Sequence, residues 1–131
     1  MSIRDTLWNG ILRKLPEMDL TRNTYHGKMS FSNKDQVIAY NLFHYGAFEY
    51  NKIVGTIEIL RAIGLLKEKN GILLDVGANI GTVCIPMVTK GFFVRAVAFE
   101  PDRTNFRLLQ KNISQNDLSG PAERPRSSYR W

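Results

Sequence analysis

The chain has a single cysteine, Cys84, in 131 residues. That excludes an internal disulfide and fits a reducing compartment, so the cytoplasm is the expected location. No apolar run approaches the ~18 residues that a membrane-spanning helix needs, and no span is expected. The opening "MSIRDTLWNGILRKLP" is interrupted by charge too often to form a signal-peptide core. Without such a signal, the sequon-like Asn112-Ile113-Ser114 carries little weight. There are only two histidines, His26 and His44. Each reads as a surface or packed residue rather than a catalyst, and no metal site is expected. Acidic residues are outnumbered 12 to 18, giving a net charge of +6 and a pI near 9.7. The basic residues are nonetheless spread from Arg4 to Arg130 with no block forming a dedicated arm, which favours a solvated surface over nucleic-acid binding. No internal repeat and no low-complexity tract is present.

The chain does have enough apolar residues, 44%, to bury a core, and its length suits one domain with little room for a second. Near the start, Ile3, Leu7, Ile11 and Leu15 recur at helical spacing. A docked amphipathic helix explains them better than a membrane-surface helix. Thr24 to Phe31 alternates weakly, as one arm of a short hairpin around Gly27 would. Ser32 with Asp35 three residues on resembles an N-cap, leading into a short helix over "QVIAYNLF" that ends near Gly46. The next helix carries Ile53, Ile57, Leu60 and Ile63 on one face and closes at Lys67, Lys69 and Asn70-Gly71.

From Gly71 the pattern changes. "ILLDV" is a short apolar run between turn residues, as expected of a strand covered on both faces. "IGTVCIPMVTK" has Ile80, Val83, Cys84, Met87 and Val88 at helical spacing. Pro86 is tolerable there only near the first turns, which predicts a short or kinked helix. Cys84 reads as a buried small hydrophobe rather than a nucleophile. "FFVRAVAFE" reads as a second buried strand. Pro101 and Asp102 then open a helix capped by Asp102, with Phe106, Leu109 and Ile113 facing inward. Strand, helix, strand, helix makes a parallel βαβ unit and the start of its next crossover.

In such sheets ligands bind beyond the carboxyl ends of the strands. Gly77 lets the chain turn sharply, and Gly81 lets the helix start approach a ligand or the sheet. Free amides at that helix start suit an anionic or polar group, and Asp75 can accept from a donor on the ligand. Glu100 ends the next strand roughly 20 positions after Gly77, the separation of a ribose-binding acid. A dinucleotide fingerprint is a poor match, because Asn79 and Thr82 stand where it needs glycines. A nicotinamide-dependent oxidoreductase is therefore the less favoured alternative.

"LLDVGANIGTV" followed by "VAFEPDRTNFRLLQKNISQND" resembles the opening of the FkbM family of S-adenosylmethionine-dependent methyltransferases. The resemblance runs from about Ile72 to Asp117, with a weaker echo in "GAFEYNKI". It implies a seven-stranded class I methyltransferase sheet that binds S-adenosyl-L-methionine. It also implies O-methylation of a hydroxyl on a sugar, glycan or small molecule in full-length members. By resemblance, Gly77, Ala78, Asn79 and Gly81 form the turn beside the cofactor, with Asp75 under it near the methionine ammonium. Glu100 would hold the ribose hydroxyls, Pro101 and Asp102 would border the adenine, and Tyr45 and Glu49 would close over the methionine end.

The expected fold is thus α/β, an incomplete Rossmann-like class I methyltransferase fold limited to its first two parallel strands and their helices. A mainly helical region over residues 1–70 would precede the βαβα part at 71–119. Residues 120–131, "GPAERPRSSYRW", read as a disordered or aberrant tail. The family's third and fourth strands and its catalytic half have no counterpart, and no catalytic base can be named. An inactive remnant, at most a nucleoside-binding or interaction module, is the leading alternative. Uncovered sheet edges make self-association an expected property.

Overall fold

A computed structural model describes residues 2–67 and 71–118. The expected tail, and the helix end at Lys69 and Asn70, lie outside these residues. In chain order the elements are α1 (Ile3–Gly10), β1 (Asp19–Thr24), β2 (Gly27–Ser32), α2 (Ile38–Tyr45), α3 (Tyr50–Ala62), β3 (Ile72–Val76), α4 (Cys84–Thr89), β4 (Arg95–Phe99) and α5 (Arg103–Gln115). A turn of 3₁₀ helix at Leu12–Lys14 follows α1. The molecule is mixed α/β with two separate two-stranded sheets. β1 and β2 form an antiparallel hairpin, and β3 and β4 pair in parallel with Leu74 opposite Val97.

The first helix does not bury the stripe that its spacing suggests. It stops at Gly10, so Ile11 and Leu15 fall off its face, and Ile3, Leu7, Ile11 and Leu15 are all exposed. Trp8 is the residue that anchors α1, packed 5.0 Å from the Phe43 ring and edge-on to Tyr40. Ser2 and Asp5 close a reciprocal capping box at its start. The hairpin tip is Tyr25-His26, with Gly27 entering β2 at φ +105°. α2 is capped by the Asp35 carboxylate, which accepts from Val37 and Ile38, while Ser32 ends β2. Gly46 terminates α2 in the left-handed conformation. α3 ends earlier than its apolar pattern, with Gly64 at φ +75°.

One apolar cluster draws Trp8, Met29, Phe31, Ala39 and Leu42 together with Ile80, Ile85, Leu108 and Leu109. The residues before and after position 70 therefore share a core. The region before 70 holds a hairpin as well as its helices. α4 packs on β3 and β4, and α5 packs on β2. Arg107 pairs with Asp19 through two bonds of 2.7 and 2.8 Å, with Lys111 adding a third, and these cations hold the Asp19 carboxyl down at about 2.

The expectation that β3 is covered on both faces is corrected. Leu73 and Asp75 point to the core side, whereas Ile72, Leu74 and Val76 are exposed, the last two by 63% and 76%. Alternation puts these three on one face, and they stay exposed, whereas α4 packs on the pair from the core side.

Candidate functional site

The stretch after β3 is forced into left-handed backbone three times in five residues. Gly77 sits at φ +81°, Asn79 at +52° and Gly81 at +95°. Glycine and asparagine are the residue types that enter this region at least cost, so the spacing of "GANIG" matches the turn it makes. At Gly81 a second demand applies. An added Cβ would lie 2.5 Å from the Ile85 Cδ1 and 2.9 Å from that of Leu109, so glycine lets α4 and α5 close on the turn. At Gly77 an added Cβ would meet nothing within 4 Å, which leaves open space beside that part of the turn.

Most amides of the turn are spent inside the protein. Gly77 and Ala78 both donate to the Phe99 carbonyl at 2.9 Å, and Gly81 donates to the Ala78 carbonyl. Asn79 donates to Glu100 Oε2 at 2.7 Å, while Asp102 donates to Oε1 at 2.8 Å. The free helix-start amides expected from the sequence are accordingly few, and α4 has only six residues. Pro86 is its third residue, where the missing N–H costs nothing.

Glu100 is brought to the turn as the separation of the two strands suggests. It is only 6% exposed, lying behind the backbone with each carboxylate oxygen held by an amide. Asp75 lies under the turn, half-buried, with Oδ2 accepting from the Cys84 amide at 3.1 Å. Burial pushes its carboxyl above the usual range, the Cys84 thiol and amide pull it back, and the Glu100 charge pushes it up again. The Cys84 thiol is itself raised far above its ordinary value by burial and by Asp75, so it is an inert packed group. Ala78 is buried in the core, and Asn79 Oδ1 is a buried acceptor with no hydrogen-bond partner among the described residues.

Pro101 and Asp102 are exposed at the end of β4, and Asp102 caps α5 by accepting from Thr104 and Asn105 at 2.9 Å. Tyr45 is exposed at the end of α2. Glu49 enters α3 at φ +54° and pairs with Lys52 at 2.8 Å. No hydrogen bond joins either of them to the turn among the described residues.

Two residues that hold the turn from behind are not evident in the sequence. His26, fully buried at the hairpin tip, bonds the Thr82 carbonyl through Nδ1 at 2.7 Å and accepts from the Phe48 amide at Nε2, 2.9 Å. This fixes a neutral ring with its proton on Nδ1. Asn112, also fully buried, donates to the Ile80 carbonyl at 2.8 Å and to that of Ser30 at 3.0 Å. Its Oδ1 accepts from the Ser30 amide at 2.7 Å and from Gln115. The available signal was a polar residue three places after Leu109, on the inward face of α5. His44 is packed too, stacked on Tyr40 with Nε2 3.2 Å from Asp5, close enough for attraction though not aligned as a hydrogen bond. Set against known protein families, curated proteins and solved structures, the chain matches none, so the functional reading rests on this geometry and on the motif resemblance.

Proposed function

We propose that the turn from Asp75 to Gly81, with Glu100, is the cofactor half-site of an S-adenosyl-L-methionine-dependent methyltransferase of FkbM type. In such an enzyme the methyl acceptor is a hydroxyl on a sugar or small molecule. The observation that carries the reading is the placement of a glycine turn and an acid at the ends of two adjacent parallel strands, joined by the Asn79–Glu100 bond. That is where sheets of this kind take nucleotide-like ligands.

The residues present fit such a ligand in three respects. Asn79 Oδ1 is an acceptor waiting for a donor, as an ammonium or hydroxyl would supply. The space beside Gly77 admits a group that any side chain would obstruct. Each Glu100 oxygen keeps a second lone-pair direction after its amide bond, enough for a pair of ribose hydroxyls. The cofactor, when bound, supplies an electrophilic methyl group. The chain's own contribution is binding and orientation, with Asp75 and Asn79 at one end and Glu100 at the other.

A second reading is favoured by one observation. Glu100 is nearly inaccessible and already satisfied, as it would be in a folded remnant whose acid serves the turn alone.

A thermal melt with and without excess S-adenosylhomocysteine separates the two. A ligand present at about 100 times its dissociation constant stabilises by roughly 2.7 kcal/mol, an upward shift on the order of 10 °C for a chain of this size. A cooperative melt that does not move sinks the cofactor reading and leaves the remnant. Asp75→Asn refines the test. It keeps an acceptor for the Cys84 amide while removing a charge that burial disfavours. The variant should therefore melt at or above the parent temperature without ligand, yet gain less from the ligand.

A further inference from the structure

Residues of α1, β1, β2 and α2 form a cavity of about 330 Å³ that is open to solvent on one side and lined by Arg4, Leu20, Thr21, Arg22, Phe31 and Phe43. Its volume falls at the lower end of small-molecule sites, with room for about eleven waters. None of these residues belongs to the glycine turn, and the inference does not rest on the function proposed above.

The two arginines are fixed by the end of α2. Arg4 Nη1 donates to the His44 carbonyl, and Arg22 Nη1 donates to the carbonyls of Leu42 and Phe43. Consecutive carbonyls bind them, so the two guanidinium groups lie within one helical turn of each other. A helix C-terminus carries only about half a negative charge. Two full positive charges therefore exceed what α2 can offset. No carboxylate makes up the difference, since neither arginine forms an ion pair among the described residues. Asp5, beside Arg4, is turned to Ser2, Tyr40 and His44. Arg22 Nε is used by the Asn23 carbonyl, but Nη2 of each arginine has no protein partner among the described residues. The remaining lining is chiefly apolar, with Leu20, Phe31 and Phe43 beside the Thr21 hydroxyl, which bonds Ser30 Oγ at 2.6 Å.

We propose that this cavity binds a small amphipathic anion, a carboxylate or phosphate monoester on an apolar body. Arg4 and Arg22 take the anionic group, and Leu20, Phe31 and Phe43 take the body. The Nη2 donors left on both arginines suit either oxyanion. Both guanidinium groups are already anchored to backbone, so little side-chain freedom is lost when the anion arrives.

Phenyl phosphate is the probe. Titrated into the isotopically labelled full chain, it should give saturable amide shifts centred on Leu20, Thr21, Arg22 and Phe43. Inorganic phosphate should bind more weakly, and benzyl alcohol should not saturate. Arg4 is exposed and makes one carbonyl bond, so Arg4→Gln should fold as the parent does while binding phenyl phosphate about tenfold more weakly. Lys52→Gln, a change of the same charge elsewhere, should leave the affinity unaltered. The assignment is overturned by shifts scattered over surface lysines, by shifts confined to Gly77–Gly81, by equal loss in the two variants, or by no saturation at all.

Discussion

At the scale of single residues, the two glycines of the turn make unequal demands. Gly77→Ala meets no atom and pays only for left-handed backbone, about 1–2 kcal/mol. Gly81→Ala adds a clash with Ile85 and Leu109 and should cost more, about 2–4 kcal/mol. Urea unfolding of the pair orders them, and a smaller loss at Gly81 would mean that α5 does not close on the turn. The need for glycine was legible in the sequence, but its reason at 81 was not, because Leu109 is distant in the chain. His26 was legible only as one of two histidines. Burial lowers its folded pKa, the Thr82 bond raises it, and Lys90 lowers it further. Protonation would also put a proton on Nε2, where the Phe48 amide donates. The unfolded chain then takes up the proton first, so His26's contribution is complete above about pH 6.5 and is lost as pH falls from there toward the folded value. Melting at pH 7.5 and pH 5 should show a lower midpoint at the acid end, and His26→Gln should shrink that difference while lowering both midpoints. Asp19 acts in a separate window, its contribution fading below the ordinary carboxylate range toward about 2.

At the scale of elements, α5 is bound to the hairpin by a match of periods. Asn112 bonds the amide and carbonyl of Ser30, and Asn116 bonds those of Lys28. Four helical residues advance about 6 Å and two strand residues about 6.6 Å, so side chains at i and i+4 of the helix meet backbone groups at j and j−2 of the oppositely running strand. The amides thus occupy the outward hydrogen-bonding edge of β2, which would otherwise invite another strand. Asn112→Ala leaves the buried Ser30 amide and the Ser30 and Ile80 carbonyls without these partners, and should cost about 3–4 kcal/mol in urea unfolding. Asn116→Ala, nearer the surface, should cost about 1 kcal/mol. Equal losses would refute the distinction. Here the sequence was informative about elements and silent about their joints. The Asp102 cap, the Gly46 stop and the short α4 around Pro86 follow from local chemistry. The early end of α1, and Trp8 in place of the isoleucine-leucine stripe, depend on where α2 lies.

At the scale of the molecule, the parallel pair was legible because β3, α4, β4 and α5 follow one another within one crossover unit. What covers each face was not, since that is decided by elements far apart in sequence. Parallel strands are ordinarily covered on both sides. Here Ile72, Leu74 and Val76 form an open face, with Val97 and Phe99 beside Leu74 and Val76 by register. Because Leu74 and Val76 keep most of their surface in water, removing their apolar bulk forfeits little burial. The double substitution Leu74→Thr with Val76→Thr leaves a β-branched side chain, suited to a strand, at both positions and should change stability by no more than about 1 kcal/mol. Its effect should appear in association instead. Sedimentation velocity over a concentration series should show the parent chain forming larger species through this face, and the double variant remaining at the monomer value. A parent chain that stays monomeric throughout rules out association by this route. A large loss of stability in the variant would mean that the face is already covered within one copy.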